Sequence, residues 1–594
     1  MMRLKQIAVL AAAICALAGC GKKSAAGKSA ASHPLPEPPV VVQCTPGIPG
    51  GRLIIAELGD PKTFNPIEAD EWSSLEIVRF LFWNLLNFDV PSQKIEPGLA
   101  DWWTNSPDGK TWEFRLRKNL RWSDGAPLAA DDVVFTWNDV IYNPKIPNPW
   151  RDAFIIKGKK FKVTKVDDLT IKVVTPEVYA PFLVQFGAIP IIPEHILSKS
   201  VANDTFASAY GINSNPEQVV GSGPFVLEEY KPGQYTLVAR NPYFLEVDRE
   251  GQRLPYFNDV IFEVVPQMDA LSLRFLSGGS DLDDIIYPYE YDKFKSESAG
   301  GKFTVFDPGI GLENSYFWFN ENTNSNPKTG EPYVDPVKLK WFRNVKFRQA
   351  CSYAIDRQAI IRAVFSGRAI PEYGFETPGN KKWFNPNINT YPYDPAKALA
   401  LLKEIGIEKR NGQDFLTDAS GHRVEFVLYT NTENPAREKI AVLIQGDFQK
   451  LGMKVIFQPV EFNTLITKIN ATYNYDCILM GMAPGGLADP SVSMSVLQSS
   501  GYDHDWFPRQ QEPSTPWEAR IDKLMNDQMT TLDFARRKKD YDDVQQILSE
   551  KEPMIFTVTP TYYAAARSNI GNVRPTALTP DQVSWNAEEL YFKK

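Results

Sequence analysis

The chain has 594 residues, of which 43% are hydrophobic and 23% are charged, and its formal net charge is −8. An acidic chain of this kind argues against nucleic acid as a partner, because nucleic-acid binding needs a concentrated basic face. The length exceeds the size at which a single hydrophobic core stops growing, so the sequence predicts two or more lobes.

The N-terminus has the layout of an export signal. Arg3 and Lys5 precede an apolar run over residues 7–17, which is shorter than the ~20 residues that a membrane-spanning helix needs. Small residues then lead to Cys20, and this pattern resembles a lipobox, in which the signal is cleaved before a cysteine that becomes lipidated. We therefore predict a lipoprotein signal over residues 1–19 and an extracytoplasmic protein, on the periplasmic side, that Cys20 anchors to a membrane. A chance cysteine in a degraded signal is the alternative.

The stretch that follows Cys20 is rich in Lys, Ser, Ala, Gly and Pro and contains little apolar material. Sequences of this composition form spacers rather than hydrophobic cores. Residues 20–50 are therefore predicted to be the lipidated cysteine and a flexible linker.

Three cysteines remain beyond the linker's start, namely Cys44, Cys351 and Cys477. They are odd in number and far apart, and the last two lie in patterns typical of a helix and a buried strand. The sequence therefore predicts free, buried cysteines rather than a disulfide framework.

Helical and strand patterns alternate through the body of the chain. Residues 112–117 alternate apolar and charged side chains, which is the period of a half-buried strand. Asp394 and Pro395 predict the start of a helix that ends at Gly406, and a second helix is predicted from about 435 to 451. A strand follows that helix within two residues, which is the basic unit of a layered α/β lobe.

A further apolar stripe runs from Phe347 to Val364. Its helical spacing predicts a single helix that includes Ile355, Asp356 and Arg357.

Six segments in chain order resemble one family. The segment from Asp108 to Trp137 resembles the signature of family 5 extracellular solute-binding proteins, the peptide- and nickel-type receptors of ABC importers. The other matching segments are Gly221–Phe225 with Arg240–Tyr243, Arg348–Arg357, Tyr393–Pro395, Tyr475–Asp476 with Asp489–Pro490, and Pro553–Ile555. Together they span nearly the whole mature chain.

The resemblance implies an α/β, two-lobed periplasmic-binding-protein-like fold with a hinge and an inserted subdomain. Lobe I is expected to comprise residues 51–85, 215–310 and 553–594, with residues 86–214 as its inserted subdomain. Lobe II is expected over residues 311–552. The chain would cross between the lobes near 306–319 and 552–558, and these two crossings would form the hinge.

The same resemblance implies a receptor that captures an oligopeptide or peptide-like solute between two closing lobes and delivers it to ABC transporter permease subunits. A monomer without cofactor or metal is expected, since the four histidines show no ligand spacing. An oligosaccharide is the alternative ligand, because some family members stack sugars on aromatic side chains and this chain has 14 Trp.

An enzyme is the competing class of protein. The sequence contains no nucleophile-elbow, zinc-protease or P-loop motif, so an enzyme is not expected, although a secreted hydrolase without a recognisable motif remains an alternative. An adhesion or scaffold lipoprotein is a third class. Ligand retention without turnover would separate a receptor from a hydrolase, and a deep pocket between lobes would separate it from a scaffold.

The candidate ligand-binding residues follow from the resemblance. In the peptide receptors, an aspartate a few residues before the Asp/Glu-Pro pair holds the peptide's amino terminus, and here that position falls on Gly485 or Gly486. A Trp often precedes this aspartate, and Met482 stands in its place. The complete candidate set is Asp60, which matches an acid at the cleft, with Phe462, Met482, Gly485, Gly486 and Asp489.

The missing carboxylate changes the expected ligand. A free peptide amine would lack its partner at this position, and an unpaired buried charge is costly. The sequence therefore predicts a longer or N-blocked peptide, or an uncharged oligomer, unless Asp60 supplies a substitute acid.

Overall fold

The computed structural model describes residues 33–594 except 70, 149, 157, 411, 433 and 483–488. The predicted signal, Cys20 and the first part of the linker therefore lie outside the described residues, as do Gly485 and Gly486.

Two sheets build the first part of the body. A four-stranded sheet has the order Phe225–Lys231, Tyr235–Arg240, Asp259–Val264, Arg52–Glu57, with the last two strands parallel. A three-stranded antiparallel sheet has the order Leu282–Ile286, Tyr563–Arg567, Phe303–Phe306. One hydrophobic core joins both sheets to the helix Trp72–Leu81, so segments from the two ends of the chain form one body.

Residues between these segments form a separate antiparallel sheet. Its strand order is Ala100–Asn105, Thr111–Leu116, Thr170–Val174, Lys162–Lys165. A second core, rich in aromatic rings, covers this sheet. The strand predicted at 112–117 is thus confirmed within one residue.

A five-stranded mixed sheet organises the rest of the chain. Its order is Lys454–Val460, Glu425–Asn431, Cys477–Met482, Asn314–Phe319, Met554–Phe556. All six residues of Asn314–Phe319 are buried, and alternate residues belong to two different cores, as Phe317 and Trp318 show. A strand that is buried on both faces reads as a continuous apolar run, and Tyr316–Phe319 is such a run.

The helices cover these sheets. Their bounds are Trp72–Leu81, Ala130–Phe135, Phe182–Gly187, Glu194–Ala202, Met268–Ser277, Tyr291–Ser298, Pro336–Phe342, Val345–Ala354, Arg357–Phe365, Pro395–Glu404, Pro435–Leu451, Phe462–Thr467, Met494–Leu497, Pro516–Met529 and Phe534–Lys551. Two-stranded pairs complete the fold: Val40–Val41 with Glu246–Val247, Leu86–Asp89 with Lys94–Pro97, Ile155–Ile156 with Lys159–Lys160, Ala369–Pro371 with Val558–Pro560, Glu408–Lys409 with Leu416–Thr417, and Ile570–Gly571 with Tyr591–Phe592.

The chain passes twice between the three-stranded and the five-stranded sheet. Residues 307–313 make the first connection and residues 557–562 make the second, and a bridge between Ile310 and Thr561 pairs them. Because Met554–Phe556 pairs within the five-stranded sheet, the second connection lies a few residues after the expected boundary at 552/553.

The sheet of residues 100–174 and its neighbouring segments also touch the second half of the chain. The Ala180 N–H donates to the Met529 carbonyl oxygen at 2.7 Å, and Nε2 of Gln185 donates to Oγ of Ser491 at 3.0 Å. The two halves therefore meet at a place distinct from the two connections.

Helix ends follow the predicted capping residues. Asp394 accepts a hydrogen bond from the Lys397 N–H at the start of the helix Pro395–Glu404. The helix Pro435–Leu451 ends at Gly452, whose φ of 107° lies in the left-handed region. The single helix predicted across Asp356 is wrong, since Val345–Ala354 and Arg357–Phe365 are separate helices and the Asp356 side chain caps the second.

The described end of the predicted linker packs against the body. Val40 and Val41 pair with Glu246–Val247, and Cys44 is only 5% exposed within the aromatic core. Arg117 also donates from Nη1 to the Pro38 carbonyl oxygen at 2.6 Å. This short stretch has apolar side chains that fit an existing groove, so residues from about 37 onward are part of the fold rather than a flexible spacer.

Cys44, Cys351 and Cys477 are free and buried, as predicted. Within the part of the chain that the structure describes, no helix is both long and apolar enough to span a membrane.

The segment Gly221–Phe225 holds the end of the helix Trp72–Leu81. A Cβ atom at Gly221 would lie 2.0 Å from the Leu81 carbonyl oxygen, and the Gly223 N–H donates to that same oxygen at 2.9 Å. Ser222 accepts from the Trp83 N–H at 3.0 Å through its hydroxyl. These glycines are therefore required by close backbone approach.

Gly221→Ala is expected to lower the free energy of unfolding by about 2–3 kcal/mol, because the added methyl group overlaps a backbone atom that cannot move independently. Urea denaturation followed by tryptophan fluorescence measures the change. Gly446→Ala is the matched control: no atom lies within 4 Å of its Cβ position, and the helix gains roughly 0.5–1 kcal/mol from the better helix former. Equal urea midpoints for the two variants would show that the close backbone approach at Gly221 does not require glycine.

Candidate ligand-binding site

The two connections between the sheets bring polar side chains together. The Tyr562 hydroxyl donates to Oε2 of Glu313 at 3.1 Å, so each connection contributes one partner. Burial raises the pKa of Glu313, while the nearby Arg437 guanidinium and Tyr562 lower it. Nη1 of Arg437 donates to Oδ1 of Asn431 at 3.0 Å, which holds the cation beside the connections.

Met482 lies at the same place. It ends the strand Cys477–Met482 and pairs with Asn314, the residue after Glu313. The preceding Gly481 leaves room for the cation, because a Cβ there would lie 2.7 Å from Nη2 of Arg437. The predicted residue Met482 thus borders the connections, and the chain continues from it into residues 483–488.

A cavity of about 440 Å³ lies beside the connections. Residues of the strands Arg52–Glu57 and Leu282–Ile286 and of the helix Trp72–Leu81 line it. Tyr287 also lines the cavity, and its ring centroid lies 5.9 Å from that of Tyr562. The cavity therefore belongs to the first body but reaches the connections to the second.

Exposed side chains mark where the cavity opens to solvent. Trp72 is 40% exposed and Leu58 and Lys62 are exposed, and all three line the cavity. An indole at the opening offers a flat apolar face to a ligand.

Carboxyl groups dominate the described lining. Six acidic residues stand against one basic residue, Lys62, and the acids are Glu57, Glu71, Glu76, Asp283, Asp284 and Asp581. Arg79, from the same helix as Glu76, places Nε 3.1 Å from Oδ2 of Asp581 and so offsets one of these charges. The cavity is strongly acidic.

The pKa values of these acids rise chiefly because the carboxyl groups are buried. Burial raises the pKa of Glu57 to about 8, and burial together with the Glu57 carboxyl raises that of Glu76 well above its ordinary range. Burial, then the charges of Asp284 and Glu290, raise the pKa of Asp283. A cation that entered the cavity would favour the ionised forms and lower these pKa values.

The other predicted residues lie outside the described lining of this cavity. Asp60 accepts a hydrogen bond from the Gly233 N–H through Oδ2 at 2.5 Å, although its neighbours Gly59 and Lys62 do line the cavity. Phe462 is 42% exposed at the start of the helix Phe462–Thr467.

Asp489 is buried and forms an ion pair at 2.9 Å with Nη2 of Arg537. Its Oδ1 also accepts from the Ser491 N–H at 3.0 Å, at the start of a short helix. Arg537 further donates to the carbonyl oxygen of Gln528. Asp489 is therefore tied through Arg537 to the helices Pro516–Met529 and Phe534–Lys551.

Sequence reasoning missed the acidic cavity. Its carboxyl groups come from segments more than 200 residues apart, so no local spacing connects them. One signal was present: Asp283 and Asp284 interrupt an otherwise apolar strand, and Glu57 ends another. Charges inside apolar strands indicate either a partner or a site.

Among the described residues, no group of three or more His, Cys, Asp or Glu side chains is arranged to hold a metal ion.

Two bodies joined by two connections, with a cavity beside them, are the architecture of a solute-binding protein. A family model for bacterial extracellular solute-binding proteins, family 5 Middle, matches residues 94–504, and the chain belongs to this family. The expected family is thereby confirmed.

Relatives match over nearly the full length. A probable ABC transporter-binding protein of Deinococcus radiodurans is 29% identical over 537 residues, which cover 87% of this chain and 88% of that protein. The oligopeptide-binding protein AppA of Bacillus subtilis is 26% identical over 600 residues, which cover 100% of this chain and 99% of AppA.

Solved structures show the same fold. The structure of Bacillus subtilis AppA in complex with a nonapeptide matches with a TM-score of 0.71 and 24% identity, over 92% of this chain and 100% of that chain. The periplasmic binding protein MelB of Agrobacterium fabrum C58, in complex with stachyose, matches with a TM-score of 0.75 and 21% identity, over 94% of this chain and 88% of that chain. The predicted α/β, two-lobed periplasmic-binding-protein-like fold is confirmed.

Proposed function

We propose that the protein is the extracytoplasmic receptor of an ABC importer, which captures an oligopeptide or peptide-like solute between its lobes and delivers it to the permease subunits without chemical turnover. The observation that carries the proposal is the acidic cavity beside two paired connections, next to strand ends that carry Glu313 and Met482. The family and the oligopeptide-binding relative support a peptide as the ligand class.

The lobes are assigned from the sheets. We assign residues 51–85, 215–306 and 563–594 to lobe I, with 86–214 as its inserted subdomain, because their strands form the first three sheets. Residues 314–556 form lobe II, and the connections 307–313 and 557–562 act as the hinge. Closure over a ligand would shift the population between open and closed forms.

Calorimetric titration with peptides tests the proposed function. The protein is first partly unfolded and refolded to remove any ligand carried through purification, and alanine-based heptapeptides and stachyose are then titrated. We expect saturable 1:1 peptide binding, no product by mass spectrometry, and a smaller radius of gyration in small-angle scattering on saturation. Peptide cleavage would indicate a hydrolase, and saturation with an unchanged radius would argue against lobe closure.

An oligosaccharide is the second candidate ligand. Trp72 lines the cavity and is 40% exposed, so its indole is accessible for stacking against a sugar ring. The rings of Tyr287 and Tyr289 stack nearby at 5.7 Å. Stronger binding of stachyose than of any peptide in the same titration would select this candidate.

Cys20→Ser is expected to move the protein from the membrane fraction to the aqueous phase without a change in thermal stability. Cys20 is the proposed lipid attachment site, and the residues that pack on the body start near residue 37. Detergent phase partitioning of the two forms measures the effect. Cys44→Ser serves as the control, because Cys44 is buried and its replacement should leave partitioning unchanged. Wild-type protein in the aqueous phase would refute the lipoprotein prediction.

A further inference from the structure

We infer that the acidic cavity of about 440 Å³ in lobe I is a subsite for a cationic group of the solute, an ammonium or a guanidinium. This inference rests on the proposed receptor function and specifies which solutes it prefers.

Carboxyl groups outnumber basic groups around the cavity. Six acidic residues line it, whereas the one basic lining residue, Lys62, is exposed at the opening. Arg79 pairs with Asp581 and donates from Nη2 to the Ser584 hydroxyl at 3.1 Å, and its charge also lowers the pKa values of Glu57 and Glu76. This one guanidinium therefore serves several carboxyl groups of the lining at once.

Glu76 provides a second and independent observation. Its side chain is only 2% exposed and lines the cavity, where it shares a hydrogen bond with the Glu57 carboxyl. No N–H or hydroxyl group of the described residues donates to its Oε2 atom. No hydrogen-bond donor among the described residues reaches Oδ2 of Asp283 either. Leaving a buried carboxylate oxygen without a donor is unfavourable, and N–H groups of an incoming cation would supply what both oxygens lack.

The shape and lining of the cavity suit such a group. Its volume falls within the range of small-molecule pockets and exceeds that of one lysine or arginine side chain. Apolar atoms of Leu271, Leu282 and Ile285 also line it, so the methylene stem of a basic side chain would pack against them while its charged end meets the carboxyl groups. Trp72 at the opening can add a cation–π contact.

The sequence of residues 483–488 bears on which carboxyl groups can receive the cation. That segment reads Ala-Pro-Gly-Gly-Leu-Ala and offers no carboxylate to a peptide amine. Asp60, the other predicted substitute, already accepts a hydrogen bond from Gly233. Oδ1 of Asp60 has no hydrogen-bond donor among the described residues, so Asp60 is the alternative partner to the carboxyl groups of the cavity. The cation can be either the amino terminus of a peptide or a basic side chain.

Titration with matched peptides tests the subsite. Alanine heptapeptides carry one lysine at each position in turn, with norleucine counterparts, and each is prepared with a free and with an acetylated amino terminus. The full mature chain in detergent is used. We expect at least one cationic form to bind roughly ten- to a hundredfold more tightly than its neutral counterpart, the range of charged hydrogen bonds. Preference for lysine over norleucine identifies a side chain, and preference for the free over the acetylated form identifies the amino terminus.

Glu76→Gln is expected to remove this preference while leaving the binding of the neutral peptides unchanged. Asp283→Asn gives the same test from another wall of the cavity, should Glu76→Gln fail to fold. Glu68→Gln is the matched control, because Glu68 is a partly buried carboxyl with a pKa raised to about 7 by burial and does not line the cavity.

Three results would overturn the inference. Equal affinity for cationic and neutral heptapeptides would refute the subsite and leave the peptide-receptor function standing. The absence of binding by every heptapeptide would refute the receptor function, and the subsite with it. A preference that survives both Glu76→Gln and Asp283→Asn would place the cation elsewhere and also refute the subsite.

Discussion

Replacement of Arg357 by lysine is expected to lower the free energy of unfolding by at least about 3 kcal/mol. Arg357 is only 3% exposed, and its guanidinium makes hydrogen bonds to four backbone carbonyl oxygens and one hydroxyl. One of these carbonyls belongs to Phe556, which Nη2 reaches at 2.6 Å at the end of the five-stranded sheet's edge strand. Arg357 therefore holds the helix Arg357–Phe365 to the start of the second connection.

Lysine keeps the positive charge but not the planar arrangement of donors. An ammonium group has three donors at one point, so it cannot reach the Glu372, Ser352 and Phe556 carbonyls together. The buried carbonyl oxygens that lose their partners make the substitution costly.

Urea denaturation measures the loss, and Arg362→Lys is the matched control. Arg362 lies in the same helix and is exposed, so its replacement should change stability by less than about 0.5 kcal/mol. Arg357, the last residue of the family-matching segment Arg348–Arg357, thus has a structural role. Similar midpoints for the two variants would contradict it.

The sequence predicted those parts of the fold that depend on local chemistry. Asp394 with Pro395 marked a helix start, and Gly452 marked a helix end, because caps act within one turn. The break at Ile355 was missed, since Phe347 to Val364 keeps a helical apolar spacing on both sides of it. Asp356 is a common N-cap residue type, but the continuous apolar spacing around it favoured a single helix.

Long-range packing accounts for the other differences. Cys44 lies in a proline-rich stretch and is buried only because Tyr256 and its neighbours provide a surface more than 200 residues away. The same reason applies to the acidic cavity, where Glu57, Glu76 and Asp283 meet through tertiary structure. Of the site residues predicted from family resemblance, Met482 borders the connections, while Gly485 and Gly486 lie outside the described residues.

Asp489→Ala is expected to lower the free energy of unfolding by about 3–5 kcal/mol, because it leaves the Arg537 guanidinium buried without its anionic partner. Both side chains are buried. The Arg537 guanidinium also donates to the backbone carbonyl oxygen of Gln528 and to Oε1 of Gln528, each at 2.9 Å. The ion therefore cannot move to solvent without disrupting the two C-terminal helices. The variant also loses the cap on the Ser491 N–H.

A double-mutant cycle separates the ion pair from the cap. Arg537→Met alone should also destabilise the fold, and the double variant should lose clearly less than the sum of the single losses, with a coupling of roughly 1–3 kcal/mol. Strictly additive losses would mean that the pair contributes little and that the cap accounts for the effect of Asp489→Ala.

Peptide affinity decides whether Asp489 also contacts the ligand, as the sequence predicts. If Asp489 acts only through its ion pair and its cap, Asp489→Asn should keep the Ser491 cap through its amide oxygen and bind peptide within about threefold of wild type, at a temperature where both are folded. A direct contact would instead cost tenfold or more in affinity. Because this affinity readout is separate from the stability cycle, it tests a ligand contact even if the Asp489–Arg537 pair proves essential for folding.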